Sequence, residues 1–315
     1  MSLNIKYRRS ARTNFDSFDK LLNFAVGGLL LIGTLLVYAG TREWFRSYGL
    51  DPEYYFKRHT LNIVIGGLLA YGTTLIDYRL LRAYTPIVWL AAVIGLTIVL
   101  IPGLGTEING AQAWISLPGG FQLQPAELAK IAIIVGISMI LSDRDQTDKD
   151  PTDLDVIKAL AIAAVPILLI VAQPDLGTVL IISAALVAMI GASGAPARWV
   201  VGLMLLAVVG VFTAVQTGAV SQYQVARLQS FVDPSADPQA SGYQLRQSRI
   251  TIGSGGLFGK GLFEGPQTNG RFVPEQQTDF IFTVAGEELG FVGCSIILFL
   301  YTLFFIRAFA ICRRS

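Results

Sequence analysis

With one histidine, His59, and two cysteines, Cys294 and Cys312, the 315-residue chain offers no ligand spacing for a metal and no disulfide framework. Both thiols lie in the last apolar segment, where a membrane-buried thiol of no chemical role is the plainer reading. Charge is scarce as well. Asp, Glu, Lys and Arg make up 15% of the residues against 53% hydrophobic ones, well under the charged share of a soluble domain. The net charge of +2 comes with no basic stretch interleaved with aromatics, so nucleic acid is excluded as a partner. What the chain has instead is long apolar runs.

Runs of about 20 apolar residues match the hydrocarbon thickness of a bilayer. Eight are expected to span: Leu21–Gly40, Thr60–Ile76, Tyr84–Ile101, Pro125–Leu141, Ile157–Gln173, Leu176–Ala192, Trp199–Val215 and Phe280–Cys312. The fold class is therefore an all-α, polytopic membrane helix bundle, one transmembrane domain over residues 1–315. "QPDLG" joins the fifth and sixth runs as a tight helical hairpin. The last run is long enough for a span plus a helical extension.

Lys and Arg in short loops set orientation. "KYRRSAR" and Lys20 put the N-terminus in the cytoplasm, and the first span reads as an uncleaved anchor. Alternation then places Arg79, Arg82, "SDRDQTDKDPTDLDV", Arg198 and "CRRS" inside, and the Lys/Arg-free stretch Gly103–Gln124 outside. Thr41–His59 is an exception, with Arg42, Arg46, Lys57 and Arg58 outside among three acids. Between the seventh and eighth spans lies an extracytoplasmic loop, residues 216–279, and long structured loops are where function concentrates. Within it "SQYQVARLQSFV" has the spacing of an interfacial helix, and "DPSADPQASG" reads as turns.

Four stretches carry candidate chemistry. "GSGGLFGKGLFEG" resembles a phosphate loop only superficially: Ser254 stands where its first glycine belongs, and Gly261 follows Lys260 where Ser or Thr is needed. Its glycines serve a sharp turn or a close backbone approach, while Lys260 can meet a phosphate as an isolated charge. In "QLQPAELAK", Pro125 and Glu127 suit a first helical turn, but Lys130 lies deeper and can pair with Glu127 at i,i+3. An ion pair inside a membrane is a functional hypothesis by default, and removal of one partner of a buried pair is expected to cost roughly 3–5 kcal/mol. Asp175 in "AQPDLGT" starts a turn or caps the next helix. Asp279 has two readings: with Thr278 it caps the eighth span, or, on one helix face with Glu275, it is one of two carboxylates able to act as a base. Arg227, Arg246, Arg249 and Lys260 supply cations in the same loop.

"INGAQAWISL", "QLQPAELAK", "AQPDLGT", "RLQSFVDPSADPQASGYQLRQS", "IGSGGLFGKGL" and "FVPEQQTDFIFTVAGEELG", in this order, resemble the RodA/FtsW proteins of the shape, elongation, division and sporulation family, and "FVPEQQTDFIF" leans toward the RodA branch. The resemblance implies a peptidoglycan glycosyltransferase of cell wall synthesis in shape or division. It would polymerise lipid-linked disaccharide-pentapeptide (lipid II) on the outer face of the bacterial cytoplasmic membrane, beside a class B penicillin-binding protein, the transpeptidase. By position, Asp279 matches the family's essential aspartate, and Glu127 and Lys130 its buried acid–lysine pair. The resemblance also puts Trp114, Lys260, Arg246 and Glu275 among substrate-binding residues. Three departures stand out. Ala113 precedes Trp114 where the family has arginine, Gln277 replaces a histidine, and the chain stops after the eighth of ten usual spans, as a fragment or a shortened form would.

The implied chemistry needs a base for the acceptor hydroxyl and cations for the leaving pyrophosphate. Asp279 would be the base, with inversion at the anomeric carbon, and Lys260, Arg246 or a divalent cation would hold the pyrophosphate. No residue is assigned to a metal. The rival classes are a lipid II flippase or transporter, which would also show Glu127–Lys130, and a non-catalytic membrane scaffold for the transpeptidase.

Overall fold

The structure, a computed structural model, describes residues 19–108, 110–142, 150–216 and 241–313. Its helices are α1 (Lys20–Ser47), α2 (Tyr54–Leu75), α3 (Tyr78–Leu100), α4 (Pro125–Ser142), α5 (Asp153–Ala172), α6 (Leu176–Ala192), α7 (Ala197–Gln216), α8 (Ser241–Ser254), the short α9 (Pro266–Asn269), α10 (Ile281–Glu288) and α11 (Gly290–Cys312). The basic N-terminal stretch, residues 143–149, "SQYQVARLQSFV" and most of "DPSADPQASG" lie outside the described residues, as does Arg227.

Helices occupy all eight expected segments, but five are long and apolar enough to cross a membrane: Lys20–Ser47, Ala83–Leu100, Pro125–Ser142, Asp153–Ala172 and Gly290–Cys312. Leu176–Ala192 and Ala197–Thr213 are apolar but shorter. Polar starts account for the helix boundaries. Asp19 Oδ1 accepts from Leu22 N–H at 3.0 Å to begin α1, and Thr152 with Asp155 forms a reciprocal capping box at α5. Asp175 is the N-cap of α6, accepting from Thr178 N–H at 3.1 Å and Thr178 Oγ1 at 2.7 Å. The capping reading of Asp175 therefore holds. Its Oδ2 also accepts from Gln124 Nε2 at 2.9 Å, which ties the α5–α6 tip to the residue before α4.

The all-α expectation missed a small sheet. Between α3 and α4, β1 (Thr106–Ile108), β2 (Ala111–Ser116) and β3 (Gln122–Leu123) form an antiparallel meander in the order β1-β2-β3. Strands this short carry too few residues to show alternation. Gly110 supplies the left-handed turn between the first two at φ 82°.

Backbone contacts gather the described chain into two compact units, one from residues 72–220 and one from residues 1–71 with 221–315. In the first, Leu96, Ala126, Ile133, Ile137, Ala159 and Ile190 belong to one buried core across α3–α6. In the second, α1 lies antiparallel to α11. Leu36 and Ala39 pack with Val284, Ala285, Cys294 and Ile297, and Arg307 near the end of α11 pairs with Asp19 at the start of α1. The charges that broke the orientation rule are partly neutralised here. Lys57 pairs with Asp51 at 2.9 Å and Glu53 at 3.2 Å.

The eighth run is not one continuous helix. It breaks at Leu289–Gly290, with Gly290 at φ 67°, so the apolar span is α11 and α10 precedes it. The glycine-rich segment causes the break by capping both ends. Its carbonyls at Gly256 and Leu257 accept from Phe291 N–H at 2.9 Å and Val292 N–H at 3.1 Å, donors that a helix start leaves open. Its N–H groups at Lys260 and Gly261 donate to the Glu287 and Glu288 carbonyls at 2.8 and 3.2 Å, acceptors that a helix end leaves open. Backbones meeting this closely leave no room for side chains. A Cβ on Gly259 would stand 2.1 Å from the Glu288 carbonyl oxygen. Both readings of these glycines hold: Gly256, Gly259 and Gly261 take left-handed turn conformations, and Gly259 also meets another backbone closely.

Candidate active site

Asp279 sits on a turn, not on a helix. Residues 274–280 are non-helical, and Glu275 adopts φ 52°. The Glu275 carbonyl accepts from the N–H groups of Thr278, Asp279 and Phe280 at 3.2, 3.1 and 3.4 Å. The N-cap of α10 is Phe280, with no side-chain capping bond, and Thr278 Oγ1 turns back to the Glu275 carbonyl at 3.2 Å. This corrects both sequence readings. Asp279 does not cap the helix, and no continuous helix puts it on one face with Glu275. Its side chain is exposed and has no hydrogen bond or ion pair among the described residues. Glu275, by contrast, is engaged: Gln277, in the place of the family's histidine, donates from Nε2 to Glu275 Oε2 at 3.0 Å.

The surroundings of the turn are fixed by buried polar groups that the sequence reading did not single out. Gln276 is fully buried and donates to the carbonyls of Gly40 and Thr268, each at 2.8 Å. Glu287 is also fully buried. Its carboxylate accepts from Gln267 N–H at 2.9 Å and from Thr268 N–H and Oγ1, both at 2.7 Å. Arg271 places its guanidinium 3.7 Å from the centre of the Trp44 ring. The only sequence signal for these roles was polar residues interrupting an apolar pattern.

Glu288 differs from its neighbour. It is 1% exposed, and neither carboxylate oxygen has a hydrogen bond of normal geometry among the described residues. Burial pushes its carboxyl up to about 7; adjacent Glu287 adds to the rise, while the Phe263 N–H and Arg42 oppose it. Between about 4.5 and about 7 the folded chain then holds a proton that the unfolded chain has released. Stability therefore falls as pH rises through that window, by roughly 3 kcal/mol if the whole shift is expressed. The melting temperature should decline from pH 5 to pH 8 in the parent and flatten in Glu288→Gln. A parallel decline in both would remove Glu288 as the cause.

Of the expected cations, Lys260 and Arg246 are both exposed. The Lys260 backbone binds the C-terminal end of α10, while Asp279 lies before its N-terminal end. The six steps from Ile281 to Glu287 rise about 9 Å, so the two lie at opposite ends of α10. Arg246 lies on α8, whose Ile252 packs against Gly286 of α10.

The other candidates belong to the 72–220 unit. Lys130 Nζ reaches Glu127 Oε1 at 2.7 Å, so the expected pair forms. It is not buried at both ends, because the side chains are 23% and 61% exposed for Lys130 and Glu127. Lys130 also lines a small apolar cavity with Ile133, Ile137, Ile182 and Leu186. With Glu127 this accessible, the coupling between the two should be that of a surface pair, roughly 0.5–1 kcal/mol, not the larger cost of a buried one. A double-mutant cycle on Glu127→Gln and Lys130→Met, read by thermal unfolding, measures it; coupling of several kcal/mol would place the pair in a dry site. Trp114 is half-buried on β2, paired with Thr106 of β1, and Ala113 beside it is fully buried.

The fold and this site define a multi-helix membrane protein that presents an exposed carboxylate, unpartnered among the described residues, on the turn before the short helix leading into its last apolar span. The family model of FtsW, RodA and SpoVE, described as "Cell cycle protein", matches residues 20–315, and the chain belongs to that family. It is 38% identical over 291 residues to the probable peptidoglycan glycosyltransferase FtsW of Legionella pneumophila, covering 92% of this chain and 72% of the relative. It is 35% identical over 300 residues to the stage V sporulation protein E of Bacillus subtilis, covering 95% and 80%. Among solved structures, a chain from work on how a peptidoglycan synthase complex coordinates polymerization and crosslinking superposes with a TM-score of 0.70 at 28% identity, over 93% of this chain and 78% of that one. The Thermus thermophilus rod shape determining protein RodA gives 0.63 at 26%, over 94% and 76%. The lean toward the RodA branch is not supported, since these curated relatives are named FtsW and stage V sporulation protein E.

Proposed function

We propose that this chain is a peptidoglycan glycosyltransferase in which Asp279 is the general base. It polymerises lipid-linked disaccharide-pentapeptide at the outer face of the cytoplasmic membrane. The observation that carries the assignment of Asp279 is its isolation: an exposed carboxylate with no partner among the described residues, on a turn anchored by a buried glutamine. A side chain that bonds to nothing among the described residues is open to a substrate hydroxyl. Asp279 accepts the proton of the acceptor hydroxyl as that oxygen attacks the donor's anomeric carbon, and the lipid pyrophosphate departs on the opposite side. Pyrophosphate leaves as an anion without protonation, so one carboxylate suffices where a hydrolase uses two. Lys260 and Arg246 supply charge for the leaving group.

The chain acts beside a class B penicillin-binding protein, which crosslinks what it polymerises. The purified protein, alone and with that transpeptidase, is expected to convert lipid-linked precursor into glycan strands; precursor left unchanged in both settings overturns the reading. The whole chain forms one transmembrane domain with its N-terminus in the cytoplasm and residues 216–279 outside. Single cysteines at Glu107 and Asp150, in a variant without Cys294 and Cys312, should then label from opposite faces of intact cells. Labelling of both by an impermeant reagent would refute that orientation.

A further inference from the structure

We infer that Gln276 is the positioning residue for Asp279, acting by fastening its turn to α1. This rests on the reading of Asp279 as the base. The turn has little rigidity of its own. It is non-helical, begins with Glu275 in the left-handed region, and is held internally by a single carbonyl, that of Glu275, which accepts the N–H of Asp279 at 3.1 Å. The direction of that carbonyl is set by the peptide joining Glu275 to Gln276, so whatever fixes Gln276 aims Asp279. Gln276 is 0% exposed, and its Nε2 gives both hydrogens away, one to Gly40 of α1 and one to Thr268, each at 2.8 Å. The opposite amide orientation would set an oxygen against two carbonyl oxygens. The assignment of nitrogen and oxygen is thus forced.

Each anchor is itself held. Thr268 is locked from its other side by Glu287, through both its N–H and its hydroxyl at 2.7 Å. Gly40 faces the site across a tight contact, since a Cβ there would lie 3.3 Å from Val284 Cγ2 and 3.9 Å from Gln276 Cγ and Nε2. A path of bonded groups therefore runs from α1 through Gln276 and the Glu275 carbonyl to the Asp279 backbone. Gln276 Oε1 has no partner among the described residues.

Gln276→Met keeps the length and the apolar stem but loses both donors. A misplacement of the order of 1 Å costs about 10²-fold in rate, so kcat for polymerisation should fall about 10- to 100-fold. KM should stay close to the parent's, because substrate binding is untouched, and the melting temperature should fall only modestly, by the loss of two buried hydrogen bonds. In an Asp279→Asn background the same substitution should cost nothing further, since its effect passes through the carboxylate. Four outcomes decide between the possibilities. The kcat loss with unchanged KM, absent in the double variant, supports the inference. Gln276→Met at parental kcat, with Asp279→Asn inactive, overturns the inference and leaves the base assignment standing. A variant lost from the membrane, or one losing melting temperature, kcat and KM together, makes Gln276 merely structural and also overturns it. Asp279→Asn at parental rate overturns the base assignment and the inference with it.

Discussion

Asp279→Asn should express, insert and bind its transpeptidase partner normally, yet polymerise about 10²–10⁴-fold more slowly, the usual loss when a positioned base is removed. The two halves of this expectation come from separate observations. Stability should be preserved because the carboxylate caps nothing: the N-cap of α10 is Phe280, and no side chain among the described residues bonds to Asp279. Surface substitutions away from such contacts fall within roughly 0.5 kcal/mol. Asparagine is nearly isosteric and keeps an acceptor oxygen, so substrate contacts survive while proton uptake does not. The two measurements are the polymerisation rate on purified lipid-linked precursor and the melting temperature of the same preparation. A lipid-translocation assay in parallel addresses the transporter reading, since exchange of one exposed carboxylate for an amide gives a flippase no reason to stop. Near-parental polymerisation by Asp279→Asn would move the base elsewhere. Glu275 is then next, although Gln277 already holds one of its oxygens at 3.0 Å.

The largest loss of folded protein is expected from a single methyl group. Gly259→Ala would put a Cβ 2.1 Å from the Glu288 carbonyl oxygen and 2.8 Å from Gly290 N, at a φ of 82°. The clashing atoms are backbone, so no side chain can rotate away. Relief requires pulling the glycine-rich segment off the α10–α11 break, and the four bonds that cap the two helix ends go with it. Effects above about 4 kcal/mol belong to this kind of mechanism, and such a loss is a large part of a domain's total stability. Gly256→Ala is the control. Its φ of 60° is also left-handed, but nothing lies within 4 Å of the added Cβ, so only the conformational cost of about 1–2 kcal/mol applies. Gly259→Ala should be recovered poorly from membranes and melt far below Gly256→Ala. Equal melting temperatures would mean that the segment does not clamp the break.

The pH response expected of Glu288 depends on its partners as well as on its burial. Glu287 and Glu288 are adjacent and equally buried, but three close donors satisfy one and no normal hydrogen bond reaches the other. Nothing in "GEELG" distinguishes them. Burial is common to both, and the hydrogen-bond partners are what set them apart.

For Asp279 the local spacing left a cap or a base open, and only the family resemblance pointed to the base; by itself the sequence determined the membrane class, the positions of the long helices, the Asp175 cap and the Glu127–Lys130 pair. These are local properties: apolar run length, i,i+3 spacing and capping chemistry are all written within a few residues of the chain. Tertiary structure decided the rest. It replaced the continuous eighth helix with a break, because carbonyls and N–H groups from residues some thirty positions earlier compete for the helix ends. It freed Asp279 from the capping role that Thr278-Asp279 suggested, by turning Thr278 back onto Glu275. It made Gln276 an anchor through a carbonyl 236 residues away. A buried amide's partner lies wherever the fold brings a carbonyl with a lone pair to spare, and no spacing along the chain encodes that meeting.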